Sequence, residues 1–329
     1  MKDETPPETP KLQTKRRHHY VWQKYLRAWE TGGRVWCRRG AKEFASNTVN
    51  LAVESYFYRI FDLLPDERTL IAALMGKSHP LLRQLHAGWM DSLAAPFELE
   101  KGFQRVFGQN DDADAVFEHF KSEGEEVLHT NVENRGAPLL DRIREADLSF
   151  FEDAQAYIDF TFFLPVQYFR TKKMRDAAAG ALDASLRELR SKLEVRPGVV
   201  AAAMAQTFAT NVSYALVAEK DAHRYTLLRA PPGSEFLTSD QPVVNLDALN
   251  TPEGQAPDQM VLLYPVSPEL ALHLEKVPGR PALTRTRELS AEEVDAYNQA
   301  VVDLSHEQLF ATTKDVLSRY RRGPSDPVE

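Results

Sequence analysis

His18, His19, Tyr20, Gln23 and Arg27 lie within one stretch of ten residues. That stretch belongs to a longer segment, residues 11–42, which holds ten lysines or arginines and a single acid, Glu30. Imidazole is the side chain whose charge ordinarily changes near neutral pH, so it can take or give a proton during a reaction. A guanidinium stays charged, and its planar fork binds a phosphate through two parallel hydrogen bonds. Together these types suit acid–base chemistry on an anionic substrate. The segment carries a net charge of +9 in a chain whose net charge is −8. A polyanion is therefore drawn to one place on a surface that otherwise repels it. Lys15, Arg16 and Arg17, just ahead of the histidines, are expected to gather it.

Further candidates stand far along the chain. Gln167 and Arg170 sit about one turn apart in the most apolar stretch, Phe150–Arg175. A buried arginine there either pairs with a buried acid, with Asp159 and Asp240 available, or clamps a phosphate in the pocket that His19 faces. Asp240, within Ser239-Asp240-Gln241-Pro242, is either a turn-forming residue or a carboxylate that orients a histidine. The expected catalytic set is His18, His19, Arg27, Arg170 and Asp240. Tyr20, Gln23, Lys15, Arg16, Arg17, Gln167, Ser239 and Asn298 are the expected substrate contacts. For the two histidines the alternative is structural: capping a helix start, or hydrogen bonding to the core.

Several chemistries lose support. Adjacent histidines diverge in direction, and no His-x-x-x-His follows, so no metal is expected. The lone Cys37 leaves neither an internal disulfide nor a thiolate-built zinc site. Neither Gly-x-x-x-x-Gly-Lys nor Gly-x-Gly-x-x-Gly occurs, and no cofactor is expected. Ser239 lacks the Gly-x-Ser-x-Gly setting of a hydrolase nucleophile. No apolar run approaches the ~20 residues of a membrane span, and the first residues lack the apolar core of a secretory signal. A cytoplasmic protein without a membrane partner is the expectation.

The elements that must position these residues follow from periodicity. Residues 1–17 read as a disordered basic tail. From His19 to Trp29 the pattern is helical, with Val21, Trp22, Tyr25, Leu26 and Trp29 on one face and His19, Gln23 and Arg27 in a polar row beside it. A turn at 30–33 leads to a strand at Arg34–Arg38, with a hairpin partner around Phe44. The middle is helical, with a dense run of acids from Asp111 to Glu133 read as a solvated outer helix. Phe150–Arg175 reads as a central, surrounded helix that Pro165 should kink. After Asp221, five short strands are expected, near 225–228, 235–238, 243–246, 260–264 and 270–274. Ser290 and Glu293 form a capping box that starts a late helix. The fold class is α+β. A largely helical middle packs on a small antiparallel sheet built from the N-terminal hairpin and the C-terminal strands. It forms a single domain over 18–329, in parts 18–62, 63–220 and 221–329.

His18-His19-Tyr20-Val21-x-Gln23-x-Tyr25-Leu26-Arg27 resembles the opening motif of the family catalogued as domain of unknown function 4238, His-His-Tyr-Val-Pro-Gln-x-Tyr-Leu-Arg. Trp22 stands where that motif has proline. Gln167-x-x-Arg170-Thr171, Thr238-Ser239-Asp240-x-Pro242, Pro265-x-Ser267-Pro268 and Asn298 resemble its later landmarks, so the likeness spans residues 18 to about 312. It implies a shared site without naming a reaction. From the residues themselves, the expectation is an enzyme acting on a phosphodiester, a metal-independent ribonuclease-like effector of toxin or defence type. RNA or another polyanion would be its partner. The alternative is a non-catalytic module that binds nucleic acid, a nucleotide or an acidic partner in the same basic pocket.

Overall fold

The computed structural model describes residues 16–189, 191–252, 255–279 and 282–321, and its first element is a strand where a helix was expected. β1 (Arg17–His19) pairs antiparallel with residues 53–55, placing Arg17 opposite Ser55. Arg17 is thus part of the fold rather than of the tail, whose residues 1–15, Lys15 included, lie outside the described residues. Tyr20 N–H bonds the Ala52 carbonyl and Trp22 is extended (ψ 127°), so the helix begins only at α1 (Gln23–Leu26) and ends as a 3-10 turn at Arg27–Trp29. Val21, Tyr25, Leu26 and Trp29 are buried as the apolar face requires.

β2 (Val35–Arg39) and β3 (Lys42–Ser46) form the expected hairpin, turning at Gly40 with φ +55°. β4 (Val53–Ser55) is the partner of β1. The helical middle comprises α2 (Pro65–Met75), α3 (Pro80–Phe107), α4 (Asp111–Arg144), α5 (Ala154–Phe169), α6 (Lys172–Ser185) and α7 (Pro197–Ala218). α5 packs against α4 and α7, and Phe160, Phe163, Leu164 and Val166 are buried. Pro165 lies within α5, which runs on to Phe169. Gly136 of α4 lets the two helices approach, because a Cβ there would stand 2.1 Å from the Phe163 ring. Asp159, one of the two acids considered for Arg170, instead lies 3.6 Å from Arg135 and accepts from Gln155.

The strand-rich end is larger than one small sheet. β5 (His223–Arg229), β6 (Thr238–Ser239), β7 (Val244–Asn245), β8 (Leu262–Pro265), β9 (Leu270–Lys276) and β10 (Thr284–Glu288) precede α8 (Ala291–Leu304), β11 (Gln308–Ala311) and α9 (Lys314–Arg319). One sheet has the order β10-β5-β9-β8-β7, with β10 and β5 parallel. The other, β3-β2-β11-β6, joins the N-terminal hairpin to the C-terminal strands as expected. Strand alternation splits the core. Tyr225, Leu227, Leu262 and Leu272 join the cluster around α5, while Leu228, Leu263 and Ala271 join Val294 and Val301 of α8. Ser290 and Glu293 close the predicted capping box.

Candidate functional site

Three parts of the chain meet at a surface cleft of about 280 Å³. The end of β1, the short α1 and the residues on either side of it supply His19, Trp22, Gln23, Lys24 and Arg27. Glu126, His129, Thr130 and Glu133 come from α4, and Arg170 from the end of α5. The α4 residues are spaced i, i+3, i+4, i+7, which puts them on one helix face. The expected meeting of His19, Arg27 and Arg170 in one hollow is thus found, and its far wall is a helix that composition alone marked as solvated.

Arg170 is buried and committed to its neighbours. Its Nε donates to the Tyr58 hydroxyl at 2.8 Å, its Nη2 donates to the His19 carbonyl at 3.0 Å, and its Nη1 pairs with Glu133. It holds the cleft together, and its acid is neither Asp159 nor Asp240. His19 is also anchored. Its Nε2 lies 3.0 Å from the Val49 carbonyl, so that nitrogen carries the proton, and its Nδ1 accepts from the Gln23 amide at 3.2 Å. The contact four residues apart forms as the polar row implied, although His19 itself is in a strand.

His18 lies behind the cleft, fully buried. Its Nδ1 accepts from Tyr58 N–H at 2.9 Å, and its Nε2 stands 3.4 Å from the Glu126 carboxylate. Tyr58 thereby touches both histidine residues and Arg170, and burial pushes its hydroxyl up to about 12. The His129 ring packs against it at a tilt, with ring centroids 4.5 Å apart. Burial, reinforced by the charges of Arg170 and Arg175, holds the His129 imidazole well below its usual value, so it is neutral at pH 7.

Lys24 pairs with Asp141 at 2.5 Å. Arg27 is exposed and has no hydrogen-bond or ion-pair partner among the described residues. It is therefore the cation at the cleft most open to an anion.

The remaining expected residues lie elsewhere and serve the fold. Buried Asp240 accepts the backbone N–H groups of His306, Glu307 and Gln308 at 2.9, 2.7 and 2.9 Å, so it shapes the turn into β11 and orients no histidine ring. Ser239 bonds the Gln241 backbone, and Asn298 ties Glu235 and Leu237 to Tyr320. Tyr20 accepts from Gln308, and Gln167 is buried in α5. Arg17 donates to Val49 and Asn50, and Arg16 is exposed beside it.

Among the described residues, no group of three or more His, Cys, Asp or Glu is placed to hold a metal ion, and no helix is long and apolar enough to cross a membrane. The cleft offers a neutral imidazole, two carboxylates and an unpaired guanidinium. Such a set can bind an anion and exchange a proton with it. Glu126, His129, Thr130, Glu133 and Tyr58 were missed by the sequence reading. The i, i+3, i+4, i+7 spacing of reactive types within the acidic run was the signal that could have found the first four.

No curated protein and no solved structure matches this chain. The model of one family, described as "Protein of unknown function (DUF4238)", matches residues 17–315. That span takes in the strand, the cleft and both larger sheets, and the chain belongs to this family.

Proposed function

We propose that the cleft takes an anionic substrate at Arg27 and cleaves a phosphodiester without a metal, acting on RNA as a toxin or defence effector. What supports this reading most is the unpartnered Arg27 guanidinium at the mouth of a cleft walled by His129 and Glu126. The guanidinium holds the phosphate and offsets the charge that gathers on it in the transition state. Glu126 takes the proton of the RNA 2′-hydroxyl as its oxygen bonds to phosphorus, the P–O5′ bond breaks, and His129 faces the departing 5′ oxygen, which takes up a proton from water. His19, Gln23 and Arg170 keep the walls in place. A cytoplasmic location goes with an RNA substrate, and the single, free Cys37 is compatible with that reducing compartment.

The test is incubation of the purified chain with single-stranded RNA and DNA in EDTA. Cleavage of RNA, reduced about 100-fold or more in Arg27→Ala and in His129→Ala, is the expected result. The committed polar atoms of His19 and Arg170 favour a second reading, a binding module without catalysis. Intact nucleic acid with salt-sensitive binding would establish that second reading in place of the first.

A further inference from the structure

Behind the cleft, where α3, α4, α5, α6 and α7 meet, lies a partly enclosed cavity of about 10 Å³. His129 and Arg170 line both the cleft and this cavity. Three polar atoms on residues lining the cavity are buried without a hydrogen-bond partner in the protein: Trp89 Nε1, Arg175 Nε and His129 Nδ1. Their coincidence is chemically specific. The indole and guanidinium nitrogens can only donate, whereas an imidazole nitrogen can accept. The other two arms of Arg175 are occupied, one by the Phe57 carbonyl and one by Glu125.

We infer that one ordered water sits in this cavity, accepts from Trp89 Nε1–H and Arg175 Nε–H, and donates to His129 Nδ1. Room for one water, roughly 10–15 Å³, is what the cavity provides, and three polar partners are the usual number for a buried water. Each of these atoms would otherwise be a buried polar group with no partner, which is unfavourable. Chloride fits less well, since it would leave His129 Nδ1 unanswered and would face the Glu125 carboxylate.

The water decides what His129 does. With both lone pairs engaged by Trp89 and Arg175, it can only donate to the imidazole, so the ring proton stays on Nε2. His129 then presents an N–H to the cleft and acts as a hydrogen-bond donor to a negative oxygen. Trp89 and Arg175 become positioning residues for it. The donor role rests on the proposed phosphodiester chemistry, whereas the water site and the tautomer do not depend on any substrate.

The experiment is a long-range 1H–15N spectrum of histidine-labelled protein at pH 7, with no nucleic acid present. The expected result is His129 in the neutral Nε2–H form. Trp89→Phe removes the indole N–H, frees a lone pair of the water, and should move His129 towards the Nδ1–H form. His129 found as Nδ1–H in the unsubstituted protein overturns the inference. So do identical His129 signals in a folded Trp89→Phe variant, or signals that follow chloride at constant ionic strength. Should Trp89→Phe fail to fold, the tautomer of the unsubstituted protein decides alone. Loss of the RNA reading would leave this result untouched.

Discussion

Arg170 Nε donates to the Tyr58 hydroxyl at 2.8 Å, and that hydroxyl donates in turn to the His19 carbonyl at 3.2 Å. Through this pair the end of α5 grips the strand that carries both histidines. Tyr58 ring faces also receive Arg170 and Arg175, at 5.4 and 5.2 Å. The tyrosine is the joint on which the cleft walls are hung, and Arg170 is a structural cation beside it.

Tyr58→Phe keeps the ring and removes only the hydroxyl. It leaves the Arg170 Nε–H buried without an acceptor and should cost about 1–3 kcal/mol. Urea unfolding checks this, and an unchanged midpoint would contradict it.

Glu133→Gln strips the carboxylate from buried Arg170. A buried charge losing its partner typically costs about 3–5 kcal/mol, more than the hydroxyl deletion. The order of the two losses, measured under one set of conditions, is the informative result.

Gly136→Ala should destabilise by roughly 1–3 kcal/mol through overpacking, because the added methyl meets the Phe163 ring rather than a flexible chain end. Gly88→Ala, whose Cβ meets nothing within 4 Å, is the matched control and should be neutral or stabilising.

His129 ties stability to pH. Its folded pKa lies below the ordinary 6.5, mainly through burial. Between that folded value and 6.5, the unfolded chain binds the proton and the folded chain does not. The stability is therefore fully present above about pH 6.5 and is lost as pH falls towards the folded pKa. His86 and His273 shift in the same direction, so His129→Gln should reduce the slope below pH 6.5 without abolishing it. A slope identical to that of the unsubstituted protein would place the proton uptake elsewhere.

Lys15→Ala with Arg16→Ala removes the two charges that precede Arg17 in the sequence. Nucleic-acid affinity should fall and its dependence on salt should flatten, by up to about 0.7–0.9 in logarithmic slope per lost phosphate contact. An unchanged slope would leave the basic end without a part in binding.

Local patterns were legible where one rule governed. The hairpin needed only alternation and a turn, and Ser290 with Glu293 needed only the cap geometry. The His19–Gln23 contact also followed from spacing, but its backbone did not, because pairing with residues 53–55 overrode helix periodicity. β10 escaped since Thr-Arg-Thr-Arg-Glu is an edge strand with little buried surface to mark it. Asp240 misled because a carboxylate that satisfies three N–H groups looks, in one dimension, like one that orients a base. α4 hid its cleft face because the density of acids from Asp111 to Glu133 suggested a solvated helix, while the four residues that matter are one stripe in 34.

The most direct measurement of the central claim is chemical-shift mapping of the full chain with a short single-stranded RNA, in EDTA. Perturbations centred on Trp22, Gln23, Arg27, His129 and Thr130, and largely lost in Arg27→Ala, are the expected result. Perturbations confined to another face, or none at concentrations where the basic end alone should bind, would contradict it.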